Sequence, residues 1–269
     1  MCFHAISKGP AVEPDNPGLF FYNEPKNRYN NVLPTASRVR LGKSEVAWDD
    51  DYINADAVAF RGLAQRYILT QAPLAGDNTI TFWKMIWDTR CGLICALTAL
   101  EERYWPLAGK SRDFANLRVR CAARRQLAPD FVRYKLELSV GDQRRRVWLL
   151  HDTRWPDFGV PASHTVALQL LDRMQRCAAP ARPIVIHCSA GVGRSGTLCL
   201  LHAASQLGIS GDRLEALLVE LRQHRRGAVS TAEQYAYVGE VLAQLRALQR
   251  PAPADRSASP ERSILRWTN

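Results

Sequence analysis

One eleven-residue segment restricts the folds open to this chain more than any other: His187-Cys188-Ser189-Ala190-Gly191-Val192-Gly193-Arg194-Ser195-Gly196-Thr197. An apolar run, Ile184-Val185-Ile186, leads into it and reads as a buried strand. A helical pattern leads out, with Leu198, Leu201 and Leu207 on one side and Gly208 as a stop signal. A strand, a glycine-rich turn and a helix N-terminus predict an anion cradle. Backbone N–H groups converge on one point, and the helix dipole favours negative charge there. Arg194 adds a planar fork that matches two phosphate oxygens.

The same setting favours the ionised form of a thiol. Cys188 is therefore expected to be a thiolate nucleophile that attacks phosphorus and carries the phosphoryl group covalently. It is also expected to be the most oxidisable sulfur of the chain. Ser195 stands where it can hydrogen-bond the sulfur and help it leave. His187 is expected to orient the loop, because an ionised thiol needs no base. A typical cysteine is a buried packing residue, and a Cys-x5-Arg spacing alone occurs in unrelated folds; the full string is far more specific. It resembles the signature loop of the phosphotyrosine-specific protein tyrosine phosphatases, which are cysteine-dependent. The resemblance implies that the amides of Ser189, Ala190, Gly191, Val192, Gly193 and Arg194 bind phosphate.

A phosphocysteine reaction needs a general acid for the leaving oxygen. Trp155-Pro156-Asp157-Phe158-Gly159-Val160-Pro161 supplies one, on a segment bounded by prolines that can swing as a unit. Alone, Asp157 would read as a turn aspartate. The string is similar to the family's mobile acid loop, which implies that Asp157 first gives and later takes a proton. Lys26-Asn27-Arg28-Tyr29 is similar to the family's phosphotyrosine-recognition loop. Tyr29 and Phe158 then form two walls of a slot for an aromatic phosphate. Asn31 stands where the family usually has an aspartate that binds the substrate backbone.

Further strings look like family scaffold: Asp51-Tyr52-Ile53-Asn54-Ala55, Tyr67-Ile68-Leu69-Thr70-Gln71-Ala72-Pro73 and Phe82-Trp83-Lys84-Met85-Ile86-Trp87. Glu101-Glu102 falls where the family has a glutamate that holds the signature arginine, and that role is assigned to Glu102. The loop that follows looks truncated, since Arg103-Tyr104-Trp105-Pro106 comes almost at once. In Gly227-Ala228-Val229-Ser230-Thr231-Ala232-Glu233-Gln234 the family's first glutamine is replaced by Ser230 and its second is kept as Gln234. The first is the residue the resemblance links to placing water for phosphocysteine hydrolysis.

Composition narrows the remaining choices. Hydrophobic residues make up 46% of the 269, enough for a sizeable core and against global disorder. No apolar stretch spans a bilayer, and Met1 to Pro10 lacks the pattern of a secretory signal. Seven cysteines without framework spacing predict reduced thiols and a cytoplasmic setting, the chain's own or that of a host receiving a secreted effector. The six histidines show no paired metal spacing, so no metal and no cofactor is expected. The formal charge is +10, with basic runs at Arg124-Arg125, Arg144-Arg145-Arg146 and Arg222 to Arg226 read as solvated surface. No nucleic-acid motif accompanies them, and steering of phosphorylated ligands is their more economical use.

The pattern along the chain predicts a single α/β domain, a twisted mixed β-sheet flanked by helices as in the protein tyrosine phosphatases. Strands are expected over Tyr52–Val58, Arg66–Thr70, Gly92–Ala96 and in a meander from Leu117 to His151. Helices are expected over Thr79–Trp87, Val166–Cys177 and Ala232–Leu248. Residues 1–18 read as an extended lead-in, 19–248 as the catalytic domain and 249–269 as a disordered tail. The expected activity is hydrolysis of phosphotyrosine in proteins by a monomer that binds no nucleic acid and inserts in no membrane. The alternatives are a phosphotyrosine-binding pseudophosphatase, against which retention of Asp157 and Tyr29 argues, and a phosphoinositide phosphatase, which the basic surface leaves open and against which Tyr29 argues.

Overall fold

Strand β8 (Ile184–His187) lies between β2 (Arg66–Thr70) and β3 (Leu93–Ala96), parallel to both. Each of these strands is nearly continuous in apolar residues because both faces are covered, as parallel strands require. Tyr67, Leu69, Leu93, Cys95, Ile184 and Ile186 face one layer; Ile68, Ile94, Ala96 and Val185 face the other. The computed structural model describes residues 21–179 and 181–249. The expected lead-in, and the tail beyond Gln249, lie outside the described residues.

Five further strands extend this centre: β1 (Ala55–Ala59), β4 (Ser111–Phe114), β5 (Leu117–Ala128), β6 (Phe131–Val140) and β7 (Gln143–Asp152). The spatial order is β1-β2-β8-β3-β7-β6-β5-β4, with β7 parallel to β3 and the flanking pairs antiparallel. One face carries α2 (His164–Cys177), α3 (Gly193–Leu207), α4 (Asp212–His224) and α5 (Ala232–Gln249); the other carries α1 (Asp77–Asp88), whose Trp83 and Trp87 are fully buried. Each large side chain so buried contributes roughly 1.5–3 kcal/mol. The expected mixed sheet between helices is the observed architecture.

Local differences have local causes. The first strand begins at Ala55 and not at Tyr52, because the Tyr52 hydroxyl and Asn54 amide turn inward to Asn27 Oδ1, both at 2.8 Å. Helix α4 was not foreseen, although Leu214, Leu217, Leu218 and Leu221 recur at helical spacing and all are buried. Helix α3 is buried along Arg194 to Ala204, wedged between the sheet and its neighbouring helices. Gly196 allows that fit: a Cβ there would stand 2.7 Å from the Val229 nitrogen.

Candidate active site

Three parallel strands end at one edge of the sheet, and the loops leaving them meet there. From β8 comes Cys188, fully buried, with the Gly191 N–H donating to Sγ at 3.3 Å and Ser195 Oγ at 3.5 Å. Helix α3 starts at Gly193, so its free N-terminal N–H groups open toward this turn. Gly191 has φ +75°, and a Cβ on it would lie 2.2 Å from the Thr70 carbonyl oxygen. Only glycine satisfies both the left-handed backbone and that approach. The Ala72 N–H donates to the Ser189 carbonyl at 2.9 Å and anchors the turn from the β2 side.

The underside of the turn is held by a residue the sequence reading assigned to solvent. Arg225, in the basic run Arg222 to Arg226, is fully buried. Its guanidinium pairs with Asp56 Oδ2 at 2.8 Å, meets Asn54 Oδ1 at 2.9 Å and donates to the Gly191 and Ala190 carbonyls, each at 3.1 Å. Arg222 also turns inward, donating to the carbonyls of Ala228 and Val229. Nothing in the local pattern separates these arginines from a solvated run. Asp56, the partner of Arg225 on β1, lies 169 residues away in the chain.

His187 is wholly buried, and burial pushes its imidazole down to about 3, so it is neutral. Nδ1 faces the Cys188 carbonyl at 3.2 Å, which can only accept. Nε2 therefore accepts from the Tyr104 hydroxyl at 2.8 Å. Burial also pushes the Tyr104 phenol up, which keeps that donor protonated. Such a histidine fixes the direction of the backbone at Cys188. It is not placed as a base.

The segment from Trp155 to Pro161 is docked on this turn. Arg194 donates to the Trp155 carbonyl at 3.3 Å and pairs with Asp157 Oδ1 at 3.0 Å. Asp157 itself is 56% exposed and so reaches the opening from outside. Trp155 is buried against Tyr237 and donates from Nε1 to the Gly159 carbonyl at 3.0 Å, which pins the loop's base. Phe158, exposed, holds a left-handed backbone at φ +60°. Glu102 does not hold the arginine as expected. It is 62% exposed and lies 3.9 Å from Arg112, while the buried Nε of Arg194 has no hydrogen-bond partner among the described residues. Both Glu101 and Glu102 lie on the surface in the segment that follows β3.

Gln234 is buried beside the start of α3. Its Oε1 accepts from the Ser230 N–H at 2.9 Å and its Nε2 donates to the Gly159 carbonyl at 3.3 Å. A Cβ on Gly193 would stand 3.2 Å from both Gln234 Nε2 and Ser230 Oγ, so these two residues border the turn. On the opposite side the Tyr29 hydroxyl lies 2.8 Å from Ser189 Oγ. Gln71 places that segment, accepting from the Arg28 N–H at 2.8 Å and donating to the Lys26 carbonyl at 2.7 Å. Asn31 is exposed on the same loop. The structure thus collects Cys188, the 189–193 amides, Arg194, Ser195, Asp157, Gln234, Ser230 and Tyr29 around one opening.

The remaining described cysteines are free and buried, and burial pushes the thiols of Cys91, Cys95, Cys121, Cys177 and Cys199 up, Cys91 to about 12. Among the described residues no cluster of His, Cys, Asp and Glu is placed to hold a metal ion, and no helix is long and apolar enough to cross a membrane.

A family model described as protein-tyrosine phosphatase matches residues 23–244. The human tyrosine-protein phosphatase non-receptor type 12 is 36% identical over 238 residues, covering 83% of this chain and 30% of the relative. The human non-receptor type 7 enzyme is 33% identical over 232 residues, covering 81% of this chain and 63% of the relative. The chain therefore spans less than two thirds of either relative. A solved structure of PTPN18 in complex with HER2-pY1248 phosphopeptides superposes with a TM-score of 0.77 at 28% identity, covering 86% of this chain and 90% of that one.

Proposed function

The chain belongs to the protein-tyrosine phosphatase family, and from that membership we propose that it hydrolyses phosphotyrosine in proteins through a phosphocysteine intermediate. The observation that carries the reading is the meeting of Cys188, Arg194 and Asp157 at one end of a buried helix N-terminus. Phosphotyrosyl proteins are the substrate class, in keeping with the phosphopeptides bound by the PTPN18 neighbour.

In this reading the substrate phosphate takes the place of the Asp157 carboxylate on Arg194. The fork of Arg194 and the amides from Ser189 to Arg194 bind the non-bridging oxygens and stabilise transition-state charge. The Cys188 thiolate attacks phosphorus, and the sulfur–phosphorus bond forms as the phosphorus–phenol oxygen bond breaks. Asp157, released from Arg194 and in its acid form, donates its proton to the leaving oxygen. Water then attacks phosphorus, Asp157 takes a proton from it, and the thiolate leaves with help from the Ser195 hydroxyl. Tyr29 and Phe158 flank the ring. Among the described residues six cysteines are free, which supports action in a reducing cytosol, whether the chain's own or a host's.

A phosphate-release assay on phosphotyrosyl peptide, phosphoseryl peptide and phosphoinositide tests the reading. The phosphotyrosyl peptide is expected to be the preferred substrate. Cys188→Ser is expected to fold and to abolish turnover, and Asp157→Ala to lower it roughly a hundredfold or more. Hydrolysis retained in Cys188→Ser overturns the mechanism; absence of any phosphatase activity leaves a binding module.

A further inference from the structure

Beside the catalytic opening, at the same edge of the sheet, lies a second cavity of about 610 Å³. It sits where β3 and β7 end, and its walls come from the shortened segment after β3, the start of β4 and His151 on β7. Three cations line it, Arg103, Lys110 and Arg112, against one carboxylate, Glu101. Glu102 offsets Arg112 only at 3.9 Å, with both side chains largely exposed. His151 lines it as well; burial pushes its imidazole down, against the opposing pull of the Thr98 carbonyl 2.9 Å from Nε2.

Trp105 is the second, independent observation. It lines the cavity, is only 2% exposed, and its indole N–H has no hydrogen-bond acceptor among the described residues. A buried donor without an acceptor costs about 1–3 kcal/mol. Arg103 stacks its guanidinium 5.6 Å from the Trp105 ring centroid, so cation and unpaired donor share one wall. Such a site fits a ligand that brings negative charge and acceptor oxygens.

The distance to the catalytic loop fits a peptide. Ala96 of β3 is in register with His187 of β8 and with His151 of β7. The cavity is therefore two strand spacings, about 10 Å, from the strand that carries Cys188. Three residues of extended chain cover about 10 Å. The Tyr104 hydroxyl on His187 makes the intervening segment part of the catalytic framework.

We propose that this cationic pocket, formed by Arg103, Trp105, Lys110 and Arg112, binds an acidic side chain of the substrate about three residues from the phosphotyrosine. The proposal rests on the phosphatase reading and makes the pocket a specificity site of that reaction.

The test compares phosphotyrosyl peptides that carry Glu or Gln at each position flanking the phosphotyrosine, with a small aryl phosphate as control. Wild type is expected to favour Glu at one position by about fivefold in KM, with kcat little changed, since partly exposed charge pairs contribute up to about 1 kcal/mol each. The preference is expected to shrink as ionic strength rises past roughly 0.15 M. The double variant Lys110→Glu, Arg112→Glu is expected to lose the preference and keep aryl phosphate turnover; Lys110→Ala, Arg112→Ala is expected to weaken it. No preference in wild type, a preference that survives charge reversal, or an equal loss on the aryl phosphate overturns the proposal. If wild type hydrolyses no phosphate ester, the phosphatase reading falls. The same Glu-over-Gln comparison by fluorescence anisotropy then decides whether the pocket binds acidic peptide.

Discussion

Arg225 Nη1 lies 2.8 Å from Asp56 Oδ2, with both side chains fully shielded from solvent. Nη1 also donates to Asn54 Oδ1, and Nε and Nη2 donate to the Gly191 and Ala190 carbonyls of the turn after β8. Burial pushes the Asp56 carboxyl up, and Arg225 and the Thr35 N–H oppose that shift. The pair thus joins β1 to the loop that must keep its carbonyls turned away from phosphate and its amides turned toward it.

Removing one partner leaves a buried charge unpaired. Arg225→Met is expected to cost about 3–5 kcal/mol in denaturant unfolding. Adding Asp56→Leu is expected to recover much of that stability. Activity should stay low in the double variant, because nothing then holds the 190 and 191 carbonyls. Full activity there would show that Arg225 serves stability alone.

Gly191→Ala combines a φ of +75° with a Cβ placed 2.2 Å from the Thr70 carbonyl. The turn has to move away from β2 to admit it. A displacement near 1 Å at a reacting centre costs on the order of a hundredfold. We expect kcat for an aryl phosphate to fall by that order while the melting transition stays cooperative. Unaltered kcat would show that the turn tolerates the shift.

The second chemical step is expected to be slow. The Gln234 amide is engaged at both ends, by the Ser230 N–H and the Gly159 carbonyl, and the Ser230 hydroxyl donates to the Gly227 carbonyl at 3.3 Å. No long amide stands free at position 230 to hold a water in line with the sulfur–phosphorus bond. Rapid mixing with an aryl phosphate is expected to give a burst of phenol followed by slower turnover. Ser230→Gln is expected to shrink the burst and raise the steady rate. If wild type gives no burst and the substitution changes nothing, breakdown of the intermediate is not limiting.

Two buried imidazoles make the fold sensitive to acid. Burial pushes His187 down to about 3 and His202 to about 4, from an ordinary 6.5. Both are neutral when folded, while the unfolded chain takes up their protons below about pH 6.5. Their contribution is therefore complete above that pH. It is lost as pH falls toward 4, at up to about 1.4 kcal/mol per pH unit for each. His202 Nδ1 lies 2.7 Å from the Tyr67 hydroxyl, a contact that asparagine can imitate. Between pH 7.5 and 5, wild type is expected to lose about 2 kcal/mol more than His202→Asn in denaturant titrations. Equal losses would exclude His202 as a source.

The catalytic centre was legible where its chemistry lies in contiguous strings. The run from His187 to Thr197 encodes strand, turn and helix start in one stretch, so it predicted a cradle around Cys188 and Arg194. Trp155 to Pro161 encodes its own hinge. These are local properties: apolar periodicity, glycines where the backbone is tight, and prolines that bound a short loop. The assignment of Glu102 failed because its side chain stands in solvent, and no local pattern reports which way a surface loop turns.

The sequence by itself determined the layered α/β architecture and marked out the candidate nucleophile, phosphate cradle and acid loop, because short-range periodicity and backbone preference dictate the local form of each. Only the tertiary structure decided that Arg225 is a buried strut, that Asp157 rests on Arg194, that Gln234 is tied at both ends, and that Arg103, Lys110 and Arg112 share one pocket with Trp105. The Arg225 strut, the Asp157–Arg194 pair and the Gln234–Gly159 bond join groups far apart in the chain that the strand order brings together. Whether an arginine is solvated or buried follows from the partner the fold sets against it, and strand order is a property of the whole core.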